Sequence, residues 1–213
     1  MVNVLLVDDH ELVRTGIQHL LEENESVDVV GVASSGEEAI RLVEALQPDI
    51  VLMDIYMPGM GGIEASRKIS QRHPDVKIII LTVLADGPLP QQMLIAGVQG
   101  YVTKTCSIAE LIDAIMAVSA GKRYLCHEMA SKLALSSLAT GKGSPFEELS
   151  HRELQVVLMT LQGRDLGEIA QALAISPKTV STYRSRVYEK LAVKNNIELM
   201  RLAFKYNIAI DSV

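Results

Sequence analysis

Cysteine is scarce: Cys106 and Cys126 are the only two in 213 residues. Two thiols so far apart make neither a disulfide framework nor a zinc site, and they read as reduced thiols of a cytoplasmic protein. Long apolar runs are missing as well. The longest are strand-sized, well short of the ~20 residues that span a bilayer, so no direct membrane binding is expected. The amino terminus has no positive start ahead of an apolar core, hence no evident secretory signal. No Gly-x-Gly-x-x-Gly follows the first apolar stretch, which argues against a dinucleotide site, and no Gly-Lys-Ser/Thr phosphate loop is present. No internal repeat or long low-complexity run is found.

What is present is a globular composition, 48% apolar and 22% charged, with the charge unevenly divided. Residues 1–120 hold 7 Lys/Arg against 17 Asp/Glu, residues 121–146 hold 4 against 1, and residues 147–213 hold 9 against 8. An acidic first half and a near-neutral second half with basic clusters point to two domains with different partners.

Over residues 1–120, apolar strands alternate with helical spacing. Val2 to Val7, Val27 to Ala33, Asp49 to Asp54, Val76 to Thr82 and Val98 to Val102 read as strands. Glu11 to Glu22 shows helical spacing, with Leu12, Val13, Ile17, Leu20 and Leu21 apolar. Ser35-x-x-Glu38 and Ser107-x-x-Glu110 are capping boxes that open further helices. Ile63 to Gln71 is another helix, and one more starts at Pro88 and ends at Gly97. Strands apolar nearly throughout are buried on both faces. The pattern predicts a flavodoxin-like, doubly wound, five-stranded parallel sheet with helices on both sides.

The strand ends carry the chemistry. Strand one runs into Asp8-Asp9, strand three ends in Asp54, strand four in Thr82, and Lys104 follows strand five. In a parallel sheet these ends share one edge, where ligands of open α/β sheets bind. Three carboxylates there repel one another, and a divalent cation held by oxygen ligands, Mg²⁺ by preference, relieves that. Lys104 adds a further positive charge. His10, beside the acids, reads as a solvent-facing helix start, since Mg²⁺ prefers oxygen.

Residues 1–120 resemble the receiver domain of two-component response regulators. The match is carried by Val7-Asp8-Asp9-His10, Leu52-Met53-Asp54-Ile55-Tyr56-Met57-Pro58-Gly59, Leu81-Thr82 and Gly100-Tyr101-Val102-Thr103-Lys104. The resemblance implies that Asp54 accepts a phosphoryl group from a sensor histidine kinase. It implies that Asp9, Asp54 and the backbone carbonyl of Tyr56 hold Mg²⁺, with Asp8 helping, partly through water. Thr82 and Lys104 then contact the phosphoryl oxygens, and Tyr101 is the aromatic that turns inward once Thr82 is drawn to them. Three departures from the commonest pattern stand out: Thr105 follows Lys104 in place of proline, Val83 stands where a small residue is common, and Tyr56 and Leu84 flank the site where polar groups are frequent. These bulky neighbours predict poor access of water to the acyl phosphate and a long-lived signal.

Tyr124 to Leu138 has helical spacing, and Ala139 to Pro145 is a polar, glycine-containing linker, so residues 121–146 read as a connector. Beyond it, Ser150-x-x-Glu153 opens a helix with Leu154, Val157, Leu158 and Leu161 inward. Leu166 to Leu173 is a short helix, Ser176-Pro177 starts one that runs to about Leu191, and Ile197 to Tyr206 is a fourth. A short helix, a turn and a longer capped helix read as helix-turn-helix. Residues 176–194 hold five basic side chains and one acidic, Glu189.

Leu149-Ser150-His151-Arg152-Glu153, Glu168-Ile169-Ala170, Ile175-Ser176-Pro177-Lys178-Thr179-Val180 and Lys190-Leu191 resemble the all-α, four-helix LuxR-type domain. By that resemblance Ser181, Thr182 and Ser185 occupy base-contact positions, while Lys178, Thr179, Arg184, Arg186 and Lys190 suit the DNA backbone. Receiver plus this domain is the composition of the NarL/FixJ family, and the wording of residues 2–14 and 175–180 is similar to its GacA/UvrY group. The resemblance implies a transcription regulator rather than an enzyme. It implies a membrane-bound hybrid kinase as donor, a homodimer on phosphorylation, double-stranded DNA as target, and control of small regulatory RNA genes that oppose a CsrA-type repressor, touching virulence. An aspartyl phosphohydrolase is the rival. It calls for a second acid two residues after the nucleophile, and that position is Tyr56.

Overall fold

The computed structural model describes residues 1–55, 57–82, 97–127, 130, 144–173, 175–206 and 208. The chain divides into two units. Among the described residues no helix is long and apolar enough to cross a membrane.

The first unit runs β1 (Val2–Val7), α1 (Glu11–Glu22), β2 (Val27–Ala33), α2 (Gly36–Leu46), β3 (Ile50–Asp54), α3 (Gly62–Arg72), β4 (Lys77–Thr82), β5 (Gly100–Thr103), α4 (Ile108–Ser119) and β6 (Tyr124–Leu125). All strand pairs are parallel, in the order β2-β1-β3-β4-β5-β6. The alternation of the strands sorts their side chains. Val4, Leu6, Ile50, Leu52, Ile79, Leu81 and Val102 pack with Leu21 of α1 and Leu111, Ala114, Ile115 and Val118 of α4. Leu5, Val7, Val51, Met53, Ile78 and Ile80 are buried on the opposite side, where α2 and α3 bring Ala39, Val43, Ala65 and Ile69. The doubly wound parallel sheet expected from the sequence is there, and the helix expected between Pro88 and Gly97 lies almost wholly outside the described residues.

Two expectations need correction. The sheet has a sixth strand, because Tyr124–Leu125 pairs with β5 and does not begin a helix. The Tyr124 amide donates to Gln99 O at 3.0 Å and the Cys126 amide to Tyr101 O at 3.0 Å, so these donors are held by the sheet. The rest of the expected connector helix falls mostly outside the described residues. β5 starts at Gly100, two residues later than predicted; a Cβ at Gly100 would meet Ile79 Cγ1 at 2.8 Å, so glycine lets the two strands approach closely. In α1, Leu12 is 89% exposed and Leu20 is exposed too. The inward stripe is Val13, Ile17 and Leu21, spaced by four, and Leu12 and Leu20 lie about 100° off it.

The second unit holds a 3₁₀ turn (Pro145–Glu148), α5 (His151–Leu161), α6 (Leu166–Ala172), α7 (Pro177–Lys190) and α8 (Asn196–Lys205). Each helix is capped by its sequence. Ser150 and Glu153 form a complete capping box, and so do Asp165 and Glu168. Ser176 takes the Thr179 amide with Pro177 in the first turn, and Asn195 takes the Glu198 amide. Val156, Ile169, Ala170, Leu173 and Val180 form the core. Fully buried Phe146 meets Tyr206 edge-on, with centroids 6.4 Å apart. α5, α6 and α7 surround this core, and α8, with Leu199 and Ala203 buried, completes the all-α domain read from the sequence.

Candidate functional site: an acidic cleft and a recognition helix

Parallel register sets the ends of β1, β3, β4 and β5 on one edge: Val7 pairs with Met53, Asp54 with Leu81, and Thr82 with Thr103. Asp8, Asp54 and Thr82 are buried there. Lys104, one residue past β5, places Nζ 2.7 Å from Asp8 Oδ2 and 3.0 Å from Asp54 Oδ2. Its amide donates to Thr82 O at 2.6 Å, which fixes the direction of the chain as it leaves β5. Asp9 is half-exposed and His10 exposed, with His10 Nδ1 3.0 Å from Asp9 Oδ1.

The electrostatics are those of a burdened cluster. Burial pushes the Asp54 carboxyl up to about 6, Lys104 works against that, and the neighbouring Asp8 and Asp9 add to it. Burial alone would lower the Lys104 ammonium, but Asp54 and Asp8 outweigh it and hold its pKa above the usual lysine value. Asp8, Asp9, His10 and Asp54 each bring a ligand atom within 4.8 Å of the others. Asp9 Oδ1 is enclosed and takes no hydrogen bond of good geometry. Three carboxylates clustered at one sheet edge are a donor set for a hard divalent cation, and the residues fit Mg²⁺. Tyr56, Val83 and Leu84 lie outside the described residues.

Tyr101, on β5, is 3% exposed. Its hydroxyl is hydrogen-bonded to the Thr82 side chain, and burial raises its pKa.

Three contributors to this cleft have no signature in the sequence. Arg14 Nη1 donates to the Asp8 carbonyl at 2.6 Å and steadies the end of β1. Glu37, in the first turn of α2, accepts the Met60 amide at 3.0 Å and ties down the loop after β3. Gly62 begins α3 so close to β3 that a Cβ would lie 1.8 Å from Asp54 O. Its amide donates to Ile55 O at 3.0 Å. The glycine-rich turn signals a loop, while this close approach is tertiary and has no local mark.

In the second unit, α7 carries Val180, Val187 and the following Leu191 to the core. Lys178, Thr182, Ser185 and Arg186 are exposed, and Thr179, Ser181 and Arg184 are half-buried. Thr182 Oγ1 donates to Lys178 O and Ser185 Oγ to Ser181 O, each at 3.0 Å, so both hydroxyl protons are used within the helix and the oxygens keep acceptor capacity. Lys190 is engaged elsewhere, with Nζ 2.7 Å from Glu153 Oε2 and 3.1 Å from Glu148 O.

Sheet, acidic cleft and helix-turn-helix together define the class. Residues 4–116 match the response regulator receiver domain, and residues 147–203 match the luxR family of bacterial regulatory proteins. The chain belongs to the response regulators that join a receiver domain to a LuxR-type DNA-binding domain. It is similar to response regulator GacA of Pseudomonas viridiflava, 46% identical over 209 residues and covering 98% of each chain. It is equally similar to response regulator UvrY of Escherichia coli K12, 46% identical over 98% of this chain and 96% of that one. Among solved structures, RcsB from Salmonella enterica serovar Typhimurium, bound to promoter rprA in the presence of phosphomimetic BeF₃⁻, matches with a TM-score of 0.67 and 30% identity over 94% of this chain and 97% of that one. A LuxR-family two-component response regulator from Aurantimonas sp. matches with a TM-score of 0.62 and 40% identity over 65% of this chain and 99% of that one.

Proposed function

We propose that the chain is a phosphorylation-controlled transcription regulator in which Asp54 is the phosphoacceptor. The observation that carries this is the Lys104 ammonium, 3.0 Å from a buried Asp54 whose carboxyl burial raises to about 6. The Asp54 carboxylate attacks phosphorus, the bond from phosphorus to the donor histidine breaks, and that nitrogen leaves with the bonding pair. This chemistry needs alignment and charge neutralisation more than covalent help. Lys104 offsets charge on the phosphoryl oxygens, and Thr82 donates its hydroxyl to one of them. Asp9, Asp54 and the Tyr56 carbonyl, with Asp8 partly through water, would hold Mg²⁺, which supplies further positive charge at the phosphoryl oxygens. The only chemistry assigned to the chain is to receive this group and slowly lose it.

The proposed division is a receiver at 1–120, a connector at 121–146 and a DNA-binding domain at 147–213. Phosphorylation releases or pairs the DNA-binding domains through Thr82 and Tyr101. Ser181, Thr182 and Ser185 meet base edges, and Lys178, Thr179, Arg184 and Arg186 meet phosphates. With small hydroxyl side chains at the reading positions, DNA shape and water carry much of the specificity. Ile197, Met200 and Phe204 are exposed on one face of α8, which suits pairing of two copies on half-sites about one helical turn apart; a related solved structure is described as two RcsB dimers bound to two parallel DNAs. On the resemblance to the GacA/UvrY group alone, a membrane-bound hybrid histidine kinase is proposed as donor, small regulatory RNA genes opposing a CsrA-type repressor as targets, and the cytoplasm as location.

The test is incorporation of phosphate from labelled acetyl phosphate with Mg²⁺, followed by DNA binding. Incorporation that survives Asp54→Asn would count against the assignment.

A further inference from the structure

Lys190 lies in the last turn of the recognition helix, in a basic stretch, and looks from sequence like one more phosphate contact. The structure gives it other partners. At 100° per residue, Lys190 is turned about 120° away from Lys178 and the exposed face that Thr182 and Ser185 share with it. Its Nζ lies 2.7 Å from Glu153 Oε2 and 3.1 Å from Glu148 O. Glu153 is 3% exposed. The same Oε2 accepts the Ser150 amide at 2.7 Å, and Ser150 Oγ accepts the Glu153 amide at 3.4 Å. Lys190 therefore closes a network that joins the last turn of α7 to the first turn of α5 and to the 3₁₀ turn before it. The other end of α7 is tied independently to α6, where the Ile175 amide, one residue before the Ser176 cap, donates to Ala170 O at 3.0 Å.

We propose that Lys190 is a positioning residue for DNA recognition. It holds the carboxyl end of α7 against the capping box of α5, and so sets the angle at which Lys178, Ser181, Thr182 and Ser185 meet the groove. Val187 and Leu191 keep this end of α7 on the core, but apolar packing is not directional; a helix free to tilt on it can still place its positive charge near phosphates, but it cannot hold small hydroxyls to base edges. Lys190 thus acts on discrimination more than on general attraction. This rests on the reading that α7 is the recognition helix.

The test uses the full chain, a duplex selected by it from a random-sequence pool, and a scrambled duplex of the same composition. Affinities are measured over a salt series at a temperature where circular dichroism shows each variant folded. Lys190→Met is expected to lose about tenfold or more on the selected duplex and less than about twofold on the scrambled one, with an unchanged salt slope. Lys190→Arg restores discrimination. Glu153→Gln keeps the capping acceptor but removes the charge, reproduces the Lys190→Met loss, and adds nothing when the two are combined. Should Lys190→Met fail to fold, Glu153→Gln carries the test alone.

A salt slope shallower by about 0.9 in Lys190→Met, with Glu153→Gln like the parent, would make Lys190 a phosphate contact and overturn the proposal. Equal losses on both duplexes would overturn it too, as a structural role alone. Arg186→Ala and Lys178→Ala serve as controls. If neither flattens the salt slope, the recognition-helix reading fails and takes the proposal with it.

Discussion

The Lys104 ammonium lies 3.0 Å from Asp54 Oδ2, yet burial prevails and the Asp54 carboxyl is pushed up to about 6. The native state thus keeps a proton that the unfolded chain releases near 3.8. Between these values the native state binds more protons, so this group makes stability fall as pH rises, and the whole penalty is present above about pH 6. Its size is on the order of 3 kcal/mol. In metal-free buffer, Asp54→Asn is expected to be more stable than the parent at pH 7, with the gap closing towards pH 4 and shrinking when Mg²⁺ is added. Urea titrations at pH 4.5 and pH 7 read this directly. A difference independent of pH would contradict it.

Gly62→Ala drives a methyl into the Asp54 carbonyl, because the added Cβ would lie 1.8 Å from it. The backbone must move at the site itself. A loss of roughly 3 kcal/mol is expected, together with much slower phosphate incorporation. Gly16→Ala is the matched control: nothing lies within 4 Å of its Cβ inside α1, and a gain of about 0.5–1 kcal/mol is expected. A Gly62→Ala protein as stable and as reactive as the parent would show that the close approach is not needed.

Much of the first unit is legible in the sequence because burial on both faces of a sheet leaves a strong signal, and because parallel strands deliver their ends to one edge. The amino-acid order alone therefore groups Asp8, Asp54, Thr82 and Lys104. What escapes it is set by tertiary contact. β6 is two residues long and defined by hydrogen bonds to β5, so no periodicity marks it. The α1 stripe is narrower than the apolar pattern implies, since Leu12 and Leu20 fit that pattern but not the face that meets the sheet. The charge of Lys190 points to DNA, and only the fold brings Glu153 to it from 37 residues away.

Thr82 and Tyr101 form the second pair at the cleft. Tyr101→Phe removes the hydroxyl that bonds Thr82, at a cost of about 1 kcal/mol. Phosphate incorporation is expected to persist, while the gain in DNA affinity on phosphorylation falls. Thr82→Ala is expected to slow incorporation as well. Both are read by a mobility-shift titration with and without acetyl phosphate. Full DNA response in both variants would remove the pair from the switch.

Phe204 is 67% exposed on α8. Phe204→Ser is expected to change stability by less than about 0.5 kcal/mol, as surface substitutions do. It is expected to abolish cooperative binding to paired half-sites while leaving a single half-site bound as well as by the parent. Retained cooperativity would place the pairing surface elsewhere.

Phosphate on Asp54 is proposed to control DNA binding. Parent and Asp54→Asn are incubated with acetyl phosphate and Mg²⁺, and intact mass and DNA affinity are measured on the same samples. The parent is expected to gain the mass of one phosphoryl group and to bind the selected duplex more tightly. Asp54→Asn is expected to do neither. Equal mass and equal affinity in the two proteins would show that Asp54 is not the phosphoacceptor that controls DNA binding.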